Sequence, residues 1–77
     1  MVNPELTGQL IQKFRIKKGL TQETLSGLAG LNRSHYNMVE HGQRLPTLDT
    51  LFKIAYALDI PPHVIVEAIE KEAADEF

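Results

Sequence analysis

The stretch from Thr21 to Gly42, TQETLSGLAGLNRSHYNMVEHG, constrains this chain more than any other part of it. It reads as two short helices joined by a tight turn. Thr21 is a suitable N-cap, Leu25 and Ala29 fall on one face, and Gly30 stands where a helix C-terminus calls for a positive φ. Asn32 then offers a second cap, opening a helix from Arg33 to about His41. Leu31, Tyr36 and Val39 can point back at the first helix of the pair, which leaves Arg33, Ser34, Asn37 and Met38 on a polar, compact face that projects outward. Helices this short are held by tertiary packing rather than by their own propensity, so the flanking segments must supply a core.

The flanks read as three more helices. Asn3-Pro4-Glu5 combines a cap, a proline at the first helical position and an acid in the first turn. Leu6, Leu10, Ile11 and Phe14 then recur at helical spacing as far as Lys18, and Gly19 follows as the stop. Lys17 and Lys18 complement the negative end of that helix or contact DNA; their position serves either role. Gly27 weakens the second helix by about 1 kcal/mol relative to alanine, a further reason for packing to hold it. Pro46 disfavours helical geometry at Leu45, and Thr47 caps a fourth helix with Leu48, Leu51, Ile54, Ala55 and Leu58 along its buried side. Asp59-Ile60 breaks the pattern, and Pro61-Pro62 starts a fifth helix. Its Val64, Ile65, Val66, Ala68 and Ile69 are more apolar residues than one face of so small a body buries internally. The surplus predicts a partner surface at Ile60, Ile65, Val66 and Ile69.

The 77 residues allow one small domain, which buries only about 60% of its unfolded surface and gains from a second subunit. The balance of charge matters more than its total of −2. Residues 1–44 carry six Lys or Arg against Glu5, Glu23 and Glu40, whereas residues 45–77 carry Lys53 and Lys71 against seven acids. That asymmetry predicts a basic working face and an acidic, frayed tail at 71–77, following a domain at 1–70. The weak overall basicity predicts weak non-specific binding to DNA.

Taken together, RIKKGLTQETLSGLAGLNRSHYNMVEHGQRLPTLDTLFKIAYALDI resembles the lambda-repressor-like, Cro/C1-type (XRE) helix-turn-helix family. The resemblance rests on GLTQ, Ser26, Gly30, Asn32, Glu40 with Gly42, Pro46 and the aliphatic rhythm of the fourth helix. It implies an all-α, compact five-helix domain whose second and third helices form the helix-turn-helix. In length and layout the chain is similar to restriction-modification controller proteins and to antitoxin or phage-repressor types. The resemblance makes Gln22 a phosphate contact that braces the recognition helix at about 33–41. Arg33 and Ser34 become the principal base-reading positions; the fork of Arg33 can donate two hydrogen bonds to guanine, while Ser34 meets a base, a phosphate or the cap. Asn37 reaches adenine or a phosphate, Met38 touches a thymine methyl or is partly buried, and Arg44 is a phosphate or minor-groove contact or a solvated loop residue. Arg15 and Glu40 match a structural salt bridge between the first and third helices. Gln12, Gly27 and Leu28 depart from the family pattern, as does the acidic tail.

The expectation is a sequence-specific, double-stranded-DNA-binding transcriptional regulator acting as a homodimer on a roughly palindromic operator. The alternative is an antitoxin-like or adaptor module whose main target is a protein. His35, His41 and His63 lack zinc-site spacing and cysteine is absent, so no metal or cofactor is expected. No phosphate loop or nucleophile-base constellation is present, which argues against an enzyme, and nothing predicts a small-molecule ligand. With no leader-like start and no long apolar run, the chain is expected to be a prokaryotic or phage-encoded protein of the cytoplasm, associated with the nucleoid through DNA binding and away from membranes.

Overall fold

The computed structural model of the chain describes residues 2–73. Within these residues five helices follow in order: α1 at Pro4–Lys17, α2 at Gln22–Ala29, α3 at Arg33–Glu40, α4 at Leu48–Leu58 and α5 at Pro62–Glu72. Among the described residues there is no strand, and no helix is long and apolar enough to cross a membrane.

Local chemistry sets most of the boundaries. The Asn3 carboxamide oxygen accepts from the Glu5 and Leu6 amides at 2.8 and 3.1 Å, satisfying donors that a helix start leaves free. Thr21 and Thr47 do the same for α2 and α4 through the amides of Thr24 and Thr50. Gly30 takes φ 68°, and the Leu31 amide then reaches back to the Ser26 carbonyl at 2.9 Å, closing α2 with a Schellman-type cap. Asp59, at φ 57°, makes the equivalent turn after α4, with the Ile60 amide donating to the Ala55 carbonyl.

The helices wrap one core. α1 packs on α3 and α5, α2 on α3 and α4, and α4 on α5. Ile11, Leu25, Tyr36, Val39, Ile54 and Ile65 are each fully buried, one or more from every helix. Each large aliphatic among them stabilises the fold by about 1.5–3 kcal/mol relative to exposure.

Where α1 meets α3 the backbones come unusually close. An added Cβ at Gly8 would lie 2.6 Å from the Val39 carbonyl oxygen and closer still to that of Glu40. Glycine at this position is therefore what lets α3 settle against α1.

Two expectations from the sequence are corrected here. Ile65 is fully buried and Ile69 only 8% exposed, so both belong to the protomer's own core and not to a partner surface. The reason is geometric: α5 is the element that seals α1 and α4, and Ile65, Ile69 and Ala73 form its inward line. Ile60 and Ala68 are half-buried, leaving Val66 as the large exposed apolar residue of α5. Conversely, Leu48 does not lie on the buried side of α4. It is 69% exposed and aligns at four-residue intervals with Phe52 and Tyr56, which are 53% and 80% exposed.

The helix α5 also runs past the boundary expected at residue 70, to Glu72, with Ala73 buried as its cap. Lys71 in its last turn complements the helix dipole there. The rest of the expected acidic tail, 74–77, lies outside the described residues.

Candidate nucleic-acid interface

The outward face of α3 is built from its N-terminus. The Asn32 side chain accepts from the Ser34 amide at 2.8 Å and the His35 amide at 3.4 Å, so Asn32 carries the capping role and Ser34 is exposed. With about 3.6 residues per turn, Arg33, Asn37 and His41 stack along one line of the helix, with Ser34 and Met38 on the next. Tyr36, Val39 and Glu40 occupy the opposite, buried side. Met38 is 38% exposed, which puts it on the outer surface beside Ser34.

Asn37 is only half-buried, but its Oδ1 is removed from water and has no hydrogen-bond partner among the described residues. Arg44 is exposed in the loop beyond α3, a loop pinned by the Gln43 amide donating to the Met38 carbonyl at 2.8 Å. His41, the C-cap of α3, shares the face although the sequence reading gave it no contact. Its four-residue spacing from Asn37 was the signal that could have found it.

A buried ion pair ties α3 to α1. Arg15 Nη2 and Glu40 Oε1 are 2.7 Å apart, and Arg15 Nε donates to both carboxylate oxygens at 3.2 and 3.1 Å. The remaining terminal nitrogen of Arg15, Nη1, donates to the Leu20 carbonyl at 2.8 Å. One guanidinium thus joins α1, the turn before α2, and the last residue of α3. The Glu40 side chain is wholly buried and that of Arg15 only 12% exposed, so the planar fork is matched to the carboxylate out of water.

Burial alone would raise the Glu40 pKa. Burial is the largest single influence, but hydrogen bonding from Arg15, Tyr36 and Gln22 and the charge of Arg15 together outweigh it and hold the carboxyl below its ordinary range. Gln22, half-buried at the start of α2, lies near enough to Glu40 to favour its ionised form. The Tyr36 phenol lies buried against the same pair without a hydrogen-bond partner of ordinary geometry. Burial, more than the Glu40 charge, pushes its pKa far above the usual value.

Chemically, this arrangement offers a rigid helix whose exposed edge carries a guanidinium, a hydroxyl, a carboxamide and an imidazole. Those groups suit hydrogen bonding to base edges and phosphates. Among the described residues no cluster of His, Cys, Asp or Glu is arranged to hold a metal ion. The family profile described as helix-turn-helix matches residues 11–65.

The chain belongs to this Cro/C1-type helix-turn-helix family. It is 36% identical over 56 residues to an uncharacterized HTH-type transcriptional regulator, y4dJ, of Sinorhizobium fredii, a match covering 73% of each chain. It is 35% identical over 66 residues to the control protein C.MunI of a Mycoplasma species, covering 84% of this chain and 89% of that one. Among solved structures, the restriction-modification controller protein C.AhdI from Aeromonas hydrophila superposes with a TM-score of 0.76 at 46% identity, covering 79% of this chain and 92% of the other. As a member of the family, the chain is a DNA-binding transcriptional regulator.

Proposed function

We propose that this regulator acts as a sequence-specific control protein, binding double-stranded DNA as a homodimer on a roughly palindromic operator. The observation that carries the reading is the outer face of α3, where Arg33, Ser34 and Met38 stand exposed while Arg15 and Glu40 pair on its other side. Each α3 enters the major groove of one half-site, with half-sites about 10 bp, roughly 34 Å, apart. Arg33 reads guanine, Ser34 and Asn37 read an adjacent base or hold a phosphate, Met38 lies toward a thymine methyl, and Gln22 and Arg44 take backbone phosphates. The similarity to control proteins supports a controller role in a prokaryotic cytoplasm.

Arg33→Ala is expected to abolish sequence preference, a loss of about 1–3 kcal/mol at the guanine it reads, while the circular dichroism melt stays that of the parent. Selection of bound duplexes from a random pool measures this. Recovery of the same operator by the variant would overturn the assignment.

For the second copy, the exposed apolar line of Leu48, Phe52 and Tyr56 on α4 is the better candidate than the buried side of α5. Val66 on α5 lines a separate shallow cavity with Leu45, Pro46 and Leu51. Ile60, half-buried after α4, packs against the protomer's own core. An isologous contact sets such a line against its own copy, which removes from water large apolar groups that a small monomer rarely leaves together. Phe52→Asp is expected to give a folded monomer by light scattering, with operator affinity reduced about tenfold or more through loss of the paired half-site. A variant that remains dimeric at the parent's concentration would exclude this face. If the parent dimerises yet retains no duplex from the random pool, the adaptor reading replaces the proposal.

A further inference from the structure

Arg33 is not alone on the outer face. Glu23, in the first turn of α2, brings Oε2 to 3.6 Å from Arg33 Nη1, with the two side chains 79% and 60% exposed. An exposed pair of this kind contributes about 0–1 kcal/mol to folding, so stability gives little reason for it. Its location, in contrast, is costly for a DNA-binding surface, because it sets a carboxylate beside the cation that must approach a polyanion.

Two features of the local structure hold Glu23 in this place. Thr21 caps α2 through the Thr24 amide, and the Ser26 hydroxyl donates to the Glu23 carbonyl at 3.0 Å, so the first turn that carries Glu23 is fixed. Helix α3, for its part, has no acid in its own first turn, and its first residue is the cation Arg33. A positive side chain at the positive end of a helix dipole is unfavourable. Glu23 supplies from the neighbouring helix the negative charge that this end lacks.

We infer that Glu23 is a specificity-determining residue that acts through Arg33, holding one edge of its guanidinium away from the phosphates so that its remaining donors are presented to a base. The inference rests on Arg33 being the base reader. The pairing involves Nη1 and leaves the Nε and Nη2 donors free, and two donors are what the O6 and N7 of guanine require. An unrestrained arginine, with its long flexible stem, satisfies itself on the backbone of any sequence. Glu23 penalises that outcome twice. It competes for the guanidinium, and its charge repels the phosphates.

The test measures affinity for a selected operator and for a scrambled duplex of equal length, in the parent, Glu23→Gln, Arg33→Ala and the double variant. Glu67→Gln on α5 serves as a control for an equal change of charge elsewhere. Glu23→Gln is expected to tighten binding to the scrambled duplex more than to the operator. The specificity ratio should fall about two- to fivefold, the range that corresponds to an exposed ion pair, with an unchanged thermal melt. Glu23→Asp should restore part of the ratio. In the Arg33→Ala background the same change should alter both affinities equally, because no fork remains to be held. The inference is overturned if Arg33→Ala loses selection while Glu23→Gln keeps the parent's ratio, or if Glu67→Gln lowers the ratio as much. If Arg33→Ala retains selection, the base-reading assignment itself has failed, and the role of Glu23 with it.

Discussion

Gly8→Ala is expected to destabilise the fold by about 3 kcal/mol, lowering the thermal midpoint by roughly 10 °C or more. Alanine is the better helix former, so propensity alone would predict the opposite sign. The contact decides it. The new methyl would press on the carbonyl oxygens of Val39 and Glu40, which are backbone atoms already committed to α3 and unable to rotate away. Relief requires α1 and α3 to separate, which loosens Ile11, Tyr36 and Val39 and draws Arg15 off Glu40. Gly27→Ala supplies the contrast. A Cβ there meets nothing within 4 Å, and the residue is helical and exposed, so the change should raise stability by about 0.5–1 kcal/mol. Two alanines replacing two helical glycines should thus move the melt in opposite directions. A Gly8→Ala midpoint within 2–3 °C of the parent, a shift worth well under 1 kcal/mol, would show that the close approach is not rigid.

These glycines also show how far the chain could be read without its structure. Features decided within one or two turns were legible: the caps at Asn3, Thr21, Asn32 and Thr47 and the left-handed Gly30 all follow from local hydrogen bonding. Gly8 was not, because its reason is a carbonyl more than thirty residues away in sequence. The Arg15–Glu40 pairing, equally remote, came from family resemblance and not from spacing. Of the surface expected on α5, Ile65 and Ile69 lie inside the core, for a different physical reason. Counting apolar residues shows how many a helix has to bury but not how deeply its neighbours cover them, and Ile65 and Ile69 were needed to close the protomer. The same count hid the outward line on α4, since Leu48, Phe52 and Tyr56 share one helix with Leu51, Ile54 and Leu58 and differ from them only in phase. On the outer edge of α3, helical phase marked Arg33 and Ser34 as outward-facing, as they are, whereas the pairing of Glu23 came only from its distance to Arg33.

Glu40→Ala should be the most damaging change among the site residues, at about 3–5 kcal/mol. Truncation leaves the Arg15 guanidinium, 12% exposed, with its Leu20 contact and no counter-charge. Much of the loss is this stranded cation rather than the worth of the pair. The double variant Arg15→Met, Glu40→Leu should accordingly be more stable than Glu40→Ala alone, because it removes both charges and fills the space with apolar atoms. Acid should act on the parent through the same carboxyl. Its folded pKa lies below the ordinary 4.5, so its stabilising contribution is complete above that value and is lost as pH falls toward the folded pKa. Melts of the parent should therefore decline below about pH 4.5 more steeply than those of Glu40→Gln, which has nothing to protonate at this position. Operator binding separates stability from positioning. If the clamp sets the angle of α3, the double variant should fold at neutral pH yet bind the operator more weakly than its melt would suggest, since no planar fork ties α3 to α1 and to the turn before α2. A double variant that binds like the parent would reduce Arg15 and Glu40 to a stabilising pair and leave the placement of the recognition helix to core packing around Tyr36 and Val39.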